Sequence, residues 1–309
     1  MSDLVIDVGA NRGEFALALA ERNPSLRVLA IEPIPELCEA LAAAAGARGV
    51  TGLDVACCAI DATEREAEFH VSDVADQGVS SLLAFDADGL RADEYWRQRD
   101  DMRFARTITT SVRRLDSLPE VAAAERIRFV KIDAQGVDLA VLESLGEHLA
   151  RTEAGVFEVA ATARTRLYAG ESQDLESALA RLRELGFAPY AIKPNDPAAN
   201  EFNVFFCRPG LDPAEFEREL GLRGVPLYDG KHYWHLPSAR LHPEAMLDPD
   251  VLLGRLAQVE TALQAATERL QVVEAALERE CAETRRLGAA VAQRDTRIQT
   301  MQLALRQAH

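Results

Sequence analysis

Leu4-Val-Ile-Asp-Val-Gly-Ala-Asn-Arg-Gly-Glu14, followed after a gap by Ile31-Glu-Pro33, is the part of the sequence that decides the fold. Residues 4–8 form an apolar run broken once, by Asp7, and the run ends in glycine. Residues 14–22 then carry apolar side chains at helical spacing and stop at Asn23-Pro24. Arg27–Ile31 reads as a second strand and residues 35–45 as a second helix. Strand, glycine turn and helix, repeated, predict an α/β domain whose parallel sheet is covered on both faces.

The rest of the first two-thirds continues this alternation. Residues 53–60 read as a third strand, and Arg126–Ile132 as another after a long irregular insert. A helix over 137–149 has Leu139, Leu142, Leu145 and Leu149 on one face, and residues 155–159 read as a strand. Ser172 is placed to cap a helix carrying Leu175, Leu179, Leu182 and Leu185, which Gly186 ends. Residues 187–193 and 202–207 are both strand-like. The connection between them is too short for a parallel crossover, which needs about a dozen residues. An antiparallel hairpin at a sheet edge is therefore expected. The domain reading is a sheet domain over 1–208, an extension over 209–250 and a coil over 251–309.

That last segment has no proline, and with Leu256 at position a the a/d sites include Val259, Leu263, Leu270, Val273, Leu277, Leu287, Val291, Ile298, Met301 and Leu305. The pattern predicts a coiled-coil helix about 80 to 90 Å long and a homo-oligomer assembled through residues 251–309.

The chain has 309 residues, 34 Lys plus Arg and 50 Asp plus Glu, a net charge of −16. The coil segment holds eight Arg against seven acids, so residues 1–250 carry −17. Such a surface repels phosphate backbones, which argues against nucleic acid as a partner. Five cysteines without a C-x-x-C speak against a zinc site or a disulfide framework and fit a reducing cytoplasm. No run approaches 18 apolar residues, and no signal peptide is expected. His232, His235 and His242 lack carboxylates at ligand spacing, so no metal is assigned. Ser80-Ser81 reads as loop, Asp116 after Arg113-Arg114 as a turn-fixing residue, and Cys57-Cys58 as strand core.

The candidate ligand follows from the first turn. Gly9 and Gly13 allow close approach to the backbone at a helix N-terminus. Glu32, at the end of the second strand, is placed to accept bonds from two ribose hydroxyls. A dinucleotide site wants glycine where Asn11 stands, and Asp7 would repel a pyrophosphate while suiting a cationic amino group. S-adenosylmethionine meets both conditions. Asp133, at the carboxyl end of a central strand, is the candidate general base or hydroxyl orienter, with Lys131 on the same strand face and Glu158 on the next strand as further catalytic candidates.

Asp7-Val-Gly-Ala-Asn-Arg-Gly-Glu14, Ile31-Glu-Pro33, Ala59-Ile-Asp61, Leu115-Asp-Ser-Leu118 and Lys131-Ile-Asp-Ala-Gln-Gly136 occur in this order. Together they resemble the FkbM-type S-adenosylmethionine-dependent methyltransferases over residues 3–208. The resemblance implies a class I methyltransferase, Rossmann-like doubly wound sheet of seven strands whose last strand is antiparallel. It implies methyl transfer to a hydroxyl of a sugar, glycan or natural product. It also implies that Asp7, Gly9 and Asn11 hold the methionine part, that Glu32 holds the ribose, and that Asp61 lies beside the adenine. Two other readings compete: a non-catalytic scaffold whose coil recruits a glycan-assembly partner, and a nicotinamide oxidoreductase, which Asn11 disfavours.

Overall fold

The computed structural model describes residues 3–228 apart from 73–76, 100–101, 164, 171–172 and 197, together with scattered residues between 263 and 301. Two units are distinguished, Met1–Glu244 and Ala245–His309.

The first unit begins with β1 (Asp3–Val8), α1 (Glu14–Arg22), β2 (Arg27–Ile31), α2 (Pro35–Arg48) and β3 (Leu53–Ala56). An insert follows, with β4 (Ala59–Ile60), β5 (Arg65–Ser72), α3 (Ala87–Ala92), α4 (Glu94–Arg97) and β6 (Phe104–Arg113). The chain returns through α5 (Pro119–Ala123), β7 (Arg126–Ile132), α6 (Asp138–Glu143), β8 (Ala154–Ala160), α7 (Leu175–Glu184), β9 (Ala188–Pro194), β10 (Glu201–Cys207) and α8 (Pro213–Glu219). Seven strands form one sheet in the order β3-β2-β1-β7-β8-β10-β9. β1 is parallel to β2 and β7, and β10 runs antiparallel to β8 and β9, so the short final connection does make a hairpin.

Local chemistry explains most boundaries. α1 buries Phe15, Ala16, Leu19 and Ala20 and stops where the Asn23 side chain donates to the Leu19 carbonyl, one residue before Pro24. α7 is capped by Asp174, with Ser177 closing a capping box. The Ser172 expected as that cap lies outside the described residues.

Three expectations are corrected. The third strand divides: β3 stays in the main sheet and β4 joins the small sheet β4-β6-β5, leaving Cys57 exposed and Cys58 buried at the break. The irregular insert is in large part a hairpin, β5 with β6, paired from Arg65↔Val112 to Ser72↔Phe104. The helix of 137–149 stops at Glu143 and continues as a 3-10 turn, Gly146–Arg151. Ser144 ends it by turning its hydroxyl onto the Val141 carbonyl while accepting from the Leu115 N–H.

The segment after β10 belongs to the sheet domain as far as it is described. Phe216, Leu220, Leu222, Val225 and Tyr228 are buried in the same cluster as Phe15, Phe129 and Phe205. Arg22 clamps this segment by donating to the carbonyls of Gly221, Arg223 and Gly224 at 2.9 to 3.0 Å.

In the second unit the described residues are helical, and Leu263, Leu270, Val273, Leu277, Leu287 and Met301 are all exposed. Among the described residues no helix is long and apolar enough to cross a membrane. His232, His235 and His242 lie outside the described residues.

Because Phe216 is buried in the main core, Phe216→Ala is expected to lower unfolding free energy by about 3 kcal/mol. Urea denaturation should show this as a lower midpoint; an unchanged midpoint would mean the extension is not part of the core.

Candidate active site

The carboxyl ends of β2, β1 and β7 converge. Gly9 N–H donates to the Ile31 carbonyl at 2.9 Å, and Asp133 N–H donates to the Val8 carbonyl at 3.1 Å. Gly9 has φ 72°, and a Cβ there would sit 2.0 Å from the Asp133 carbonyl oxygen. Gly13 has φ 80°, and its Cβ would sit 2.0 Å from Leu41. The glycines are thus demanded first by the packing of the turn against β7 and α2.

A cavity of about 380 Å³ opens over these strand ends, within the range of small-ligand sites. Its walls include Gly9, Asn11, Glu32, Asp133 and Glu158; Asp7, Gly13, Asp61 and Lys131 lie outside them. Near Glu32 the walls are apolar, with Ile34, Leu37, Ile60 and Phe69. At the other end stand Asp133, Gln135, Glu158 and Asn195.

Glu32 is buried and accepts from the Asn11 N–H at 2.8 Å and the Ile34 N–H at 3.0 Å. Asn11 reaches it through a left-handed backbone, φ 51°, which asparagine tolerates better than most residues. Burial raises the Glu32 pKa to about 7, against the pull of the two N–H donors toward the ionised form.

The expectation that Asp7 faces the ligand is corrected. Its carboxylate is fully buried and takes the Lys131 ammonium at 3.0 Å. Lys131 also stands 3.9 Å from Asp133 Oδ2. Burial works against the Lys131 ammonium, but the Asp7 and Asp133 carboxylates outweigh it and raise its pKa above the usual lysine value. Lys131 borders a second, small cavity with Asp133, Glu158, Asn195 and Asn203, large enough for about one water molecule. Asp61 spends its carboxylate on the Ala62 N–H at 2.7 Å and on Arg65 at 2.8 Å; the cavity wall nearby is Ala59 and Ile60.

Asp133 is half-exposed and lines both cavities. Glu158 accepts from the Asn195 side chain, and its backbone N–H donates to Asp138. Sequence reasoning missed Gln135, which donates to Asp133 Oδ1 at 2.5 Å, and Tyr168, which donates to Gln135 Oε1 at 2.6 Å. Ser81 donates to the Gln135 carbonyl at 2.6 Å, and Asp116 binds Arg114 through both oxygens. Among the described residues no three His, Cys, Asp or Glu side chains gather as metal donors.

A doubly wound sheet with an antiparallel strand inserted next to its last edge, and an acid closing the second strand over a cavity, is the class I methyltransferase arrangement. The family model for the methyltransferase FkbM domain matches residues 7–189, and the chain belongs to that family. Its cofactor is S-adenosylmethionine. A curated relative, the AMB antimetabolite synthetase AmbE of Pseudomonas aeruginosa, is 28% identical over 245 residues, 70% of this chain. The match spans 11% of that relative's length. Solved structures with a related outline include the N-terminal domain of EvdMO1 with SAH and D-fucose, at TM-score 0.36 and 12% identity, covering 67% of this chain and 76% of that one. Another is SMU.1697c from Streptococcus mutans in complex with SAH, at TM-score 0.34 and 12% identity, covering 66% of this chain and 87% of that one.

The residues fit the cofactor: an acid beside an apolar slot suits a nucleoside, and the left-handed turn at Asn11 leaves its side chain at the wall. A glutamate side chain is a full hydroxyl acceptor only when ionised. S-adenosylhomocysteine affinity, measured by calorimetry, is therefore expected to fall about tenfold per pH unit below pH 7. In Glu32→Gln the affinity should be lower at pH 8 and independent of pH. A wild-type affinity that is flat from pH 8 down would remove Glu32 from the ribose.

Proposed function

We propose that the protein transfers methyl groups from S-adenosylmethionine to a hydroxyl of a sugar, glycan or similarly hydroxylated natural product. The observation that carries the reading is the polarity of the cavity, apolar around Glu32 and rich in carboxylate and amide groups around Asp133 and Glu158. Carboxylate and amide groups suit an acceptor that offers several hydroxyl donors. The resemblance to FkbM-type enzymes supports the same acceptor class.

When bound, S-adenosylmethionine supplies a methyl carbon on a sulfonium, open to displacement by oxygen. The protein's part is alignment and proton removal. Asp133 accepts the proton that the hydroxyl sheds as its oxygen bonds to carbon. Lys131, fixed below by Asp7, sets a positive charge 3.9 Å from Asp133 Oδ2. Glu158, restrained by Asn195, accepts from a neighbouring acceptor hydroxyl. Transfer of tritiated methyl to a panel of sugars and glycans, D-fucose included, tests the reading. Asp133→Asn is expected to lower kcat by about a hundredfold or more while S-adenosylhomocysteine still binds. Equal rates in this variant would remove Asp133 as the base, and no transfer to any acceptor would favour a scaffold.

We also infer that residues 251–309 join two or more copies of the chain. Leu263, Leu270, Val273, Leu277, Leu287 and Met301 all fall on the a/d positions and are exposed. In sedimentation, full-length protein with Leu270→Glu and Leu277→Glu together is expected to run as a monomer and the wild type as an oligomer. An unchanged mass for the double variant would move assembly elsewhere.

A further inference from the structure

Behind Asp133 runs a chain of hydrogen bonds. Gln135 has a left-handed backbone, φ 57°, in which Ser81 holds its carbonyl. Both ends of its amide are used: Nε2 donates to Asp133 Oδ1 at 2.5 Å and Oε1 accepts from the Tyr168 hydroxyl at 2.6 Å. The same hydroxyl lies 3.0 Å from the Val79 carbonyl oxygen, so one phenolic proton has two acceptors within reach. Tyr168 is 1% exposed and stacks on Phe85 with ring centres 5.5 Å apart, which fixes the phenol in place.

This chain can be satisfied in two polarities. With Asp133 ionised, Nε2 donates to it and the phenol donates to Oε1, as observed. With Asp133 carrying a proton on Oδ1, the oxygen farther from the Lys131 ammonium, that arrangement sets a carboxyl O–H and an amide N–H toward each other. A half-turn of the amide removes the conflict: the carboxyl O–H donates to Oε1, Nε2 donates to the phenol oxygen, and the phenol O–H turns to Val79. Apart from the exchange of Oε1 and Nε2, the heavy atoms stay where they are, and the carboxyl, amide and phenol donors of the chain each keep an acceptor.

We propose that Val79, Tyr168 and Gln135 form a reversible hydrogen-bond relay that holds the Asp133 side chain in one orientation whether or not it carries a proton. This deepens the reading of Asp133 as the proton acceptor and rests on it. Gln135 and Tyr168 are positioning residues. No proton travels along the relay: the acceptor's proton binds Asp133 and leaves to solvent from that half-exposed carboxyl group. The charged groups around Asp133 are Lys131 on the same strand, Asp7 on β1, Glu158 on β8, and Glu201 and Arg99 in the cavity wall. The relay sets where Asp133 points.

The test uses the full chain with nitrogen-15 in its glutamine side chains, observed by NMR without added ligand. The Gln135 amide signal is assigned by its loss in Gln135→Leu. It is expected to shift between two positions as pH is varied, with the same midpoint as the Asp133 carboxyl carbon followed by carbon-13. In Asp133→Asn the signal should become independent of pH. In Tyr168→Phe, where the reversed polarity has lost its acceptor, the shift should lose most of its amplitude. Calorimetric binding of S-adenosylhomocysteine reports whether each variant is folded, and Tyr168→Phe is close to isosteric should Gln135→Leu fail to fold. A wild-type signal that ignores the Asp133 titration would overturn the relay, as would one that titrates unchanged in Asp133→Asn or Tyr168→Phe. If the relay holds and Asp133→Asn still transfers methyl at the wild-type rate, the assignment of the base fails and the relay stands as structure.

Discussion

The buried pair between Asp7 and Lys131 is the constraint on which the rest depends. The two residues face each other in the register of β1 and β7, at the centre of the sheet and out of water. A lone charge there would be costly, and removing one partner of such a pair typically costs about 3 to 5 kcal/mol. The pair therefore ties two adjacent parallel strands at a fixed height. Beyond it, Val8 and Asp133 bond through the backbone and Gly9 turns away with no room for a side chain. The strand ends that carry Glu32, Asn11 and Asp133 are placed by this tie.

How much of this was legible follows from how local each signal is. β1, β2, β7 and β8 are buried on both faces over most of their length, and such strands leave near-continuous apolar runs, broken here at Asp7, Arg128, Lys131 and Glu158. The final hairpin was legible from a length argument alone. The β5–β6 hairpin was not, because much of it is exposed. In β6, Arg106, Thr107 and Thr109 point to solvent, and the period-2 apolar alternation that marks a half-buried strand is diluted. The early end of α6 was also hidden. Leu145 and Leu149 continue the helical spacing, and only the hydroxyl of Ser144, bonding to Leu115 from a distant segment, shows that the helix has stopped.

The site divides in the same way. Glu32 and Asn11 were readable because their distance along the chain is set by one strand–helix–strand unit. Asp7 was readable as important, but its partner is 124 residues away, so its charge was assigned to a ligand when it belongs to Lys131. Gln135 lies inside the quoted motif, yet its function needs Tyr168, which follows a segment without periodicity. Asn195 sits in a turn chosen for its turn residues, and nothing local marks it as the partner of Glu158.

One strand end thus separates three tasks that a single carboxylate could not perform alone. Lys131 and Asp133 share a face because strand side chains alternate, so the fixed positive charge lies 3.9 Å from Asp133 Oδ2. Continuing the strand would have sent residue 135 to that same face and into the path of an acceptor. Instead the backbone turns left-handed at Gln135, and its amide comes alongside Asp133 and donates to Oδ1, while Oδ2 faces Lys131. A glutamate at this position would set two carboxylates in contact and force them to share a proton. An amide avoids that contact, and both of its ends are bonded, Nε2 to Asp133 and Oε1 to the Tyr168 hydroxyl.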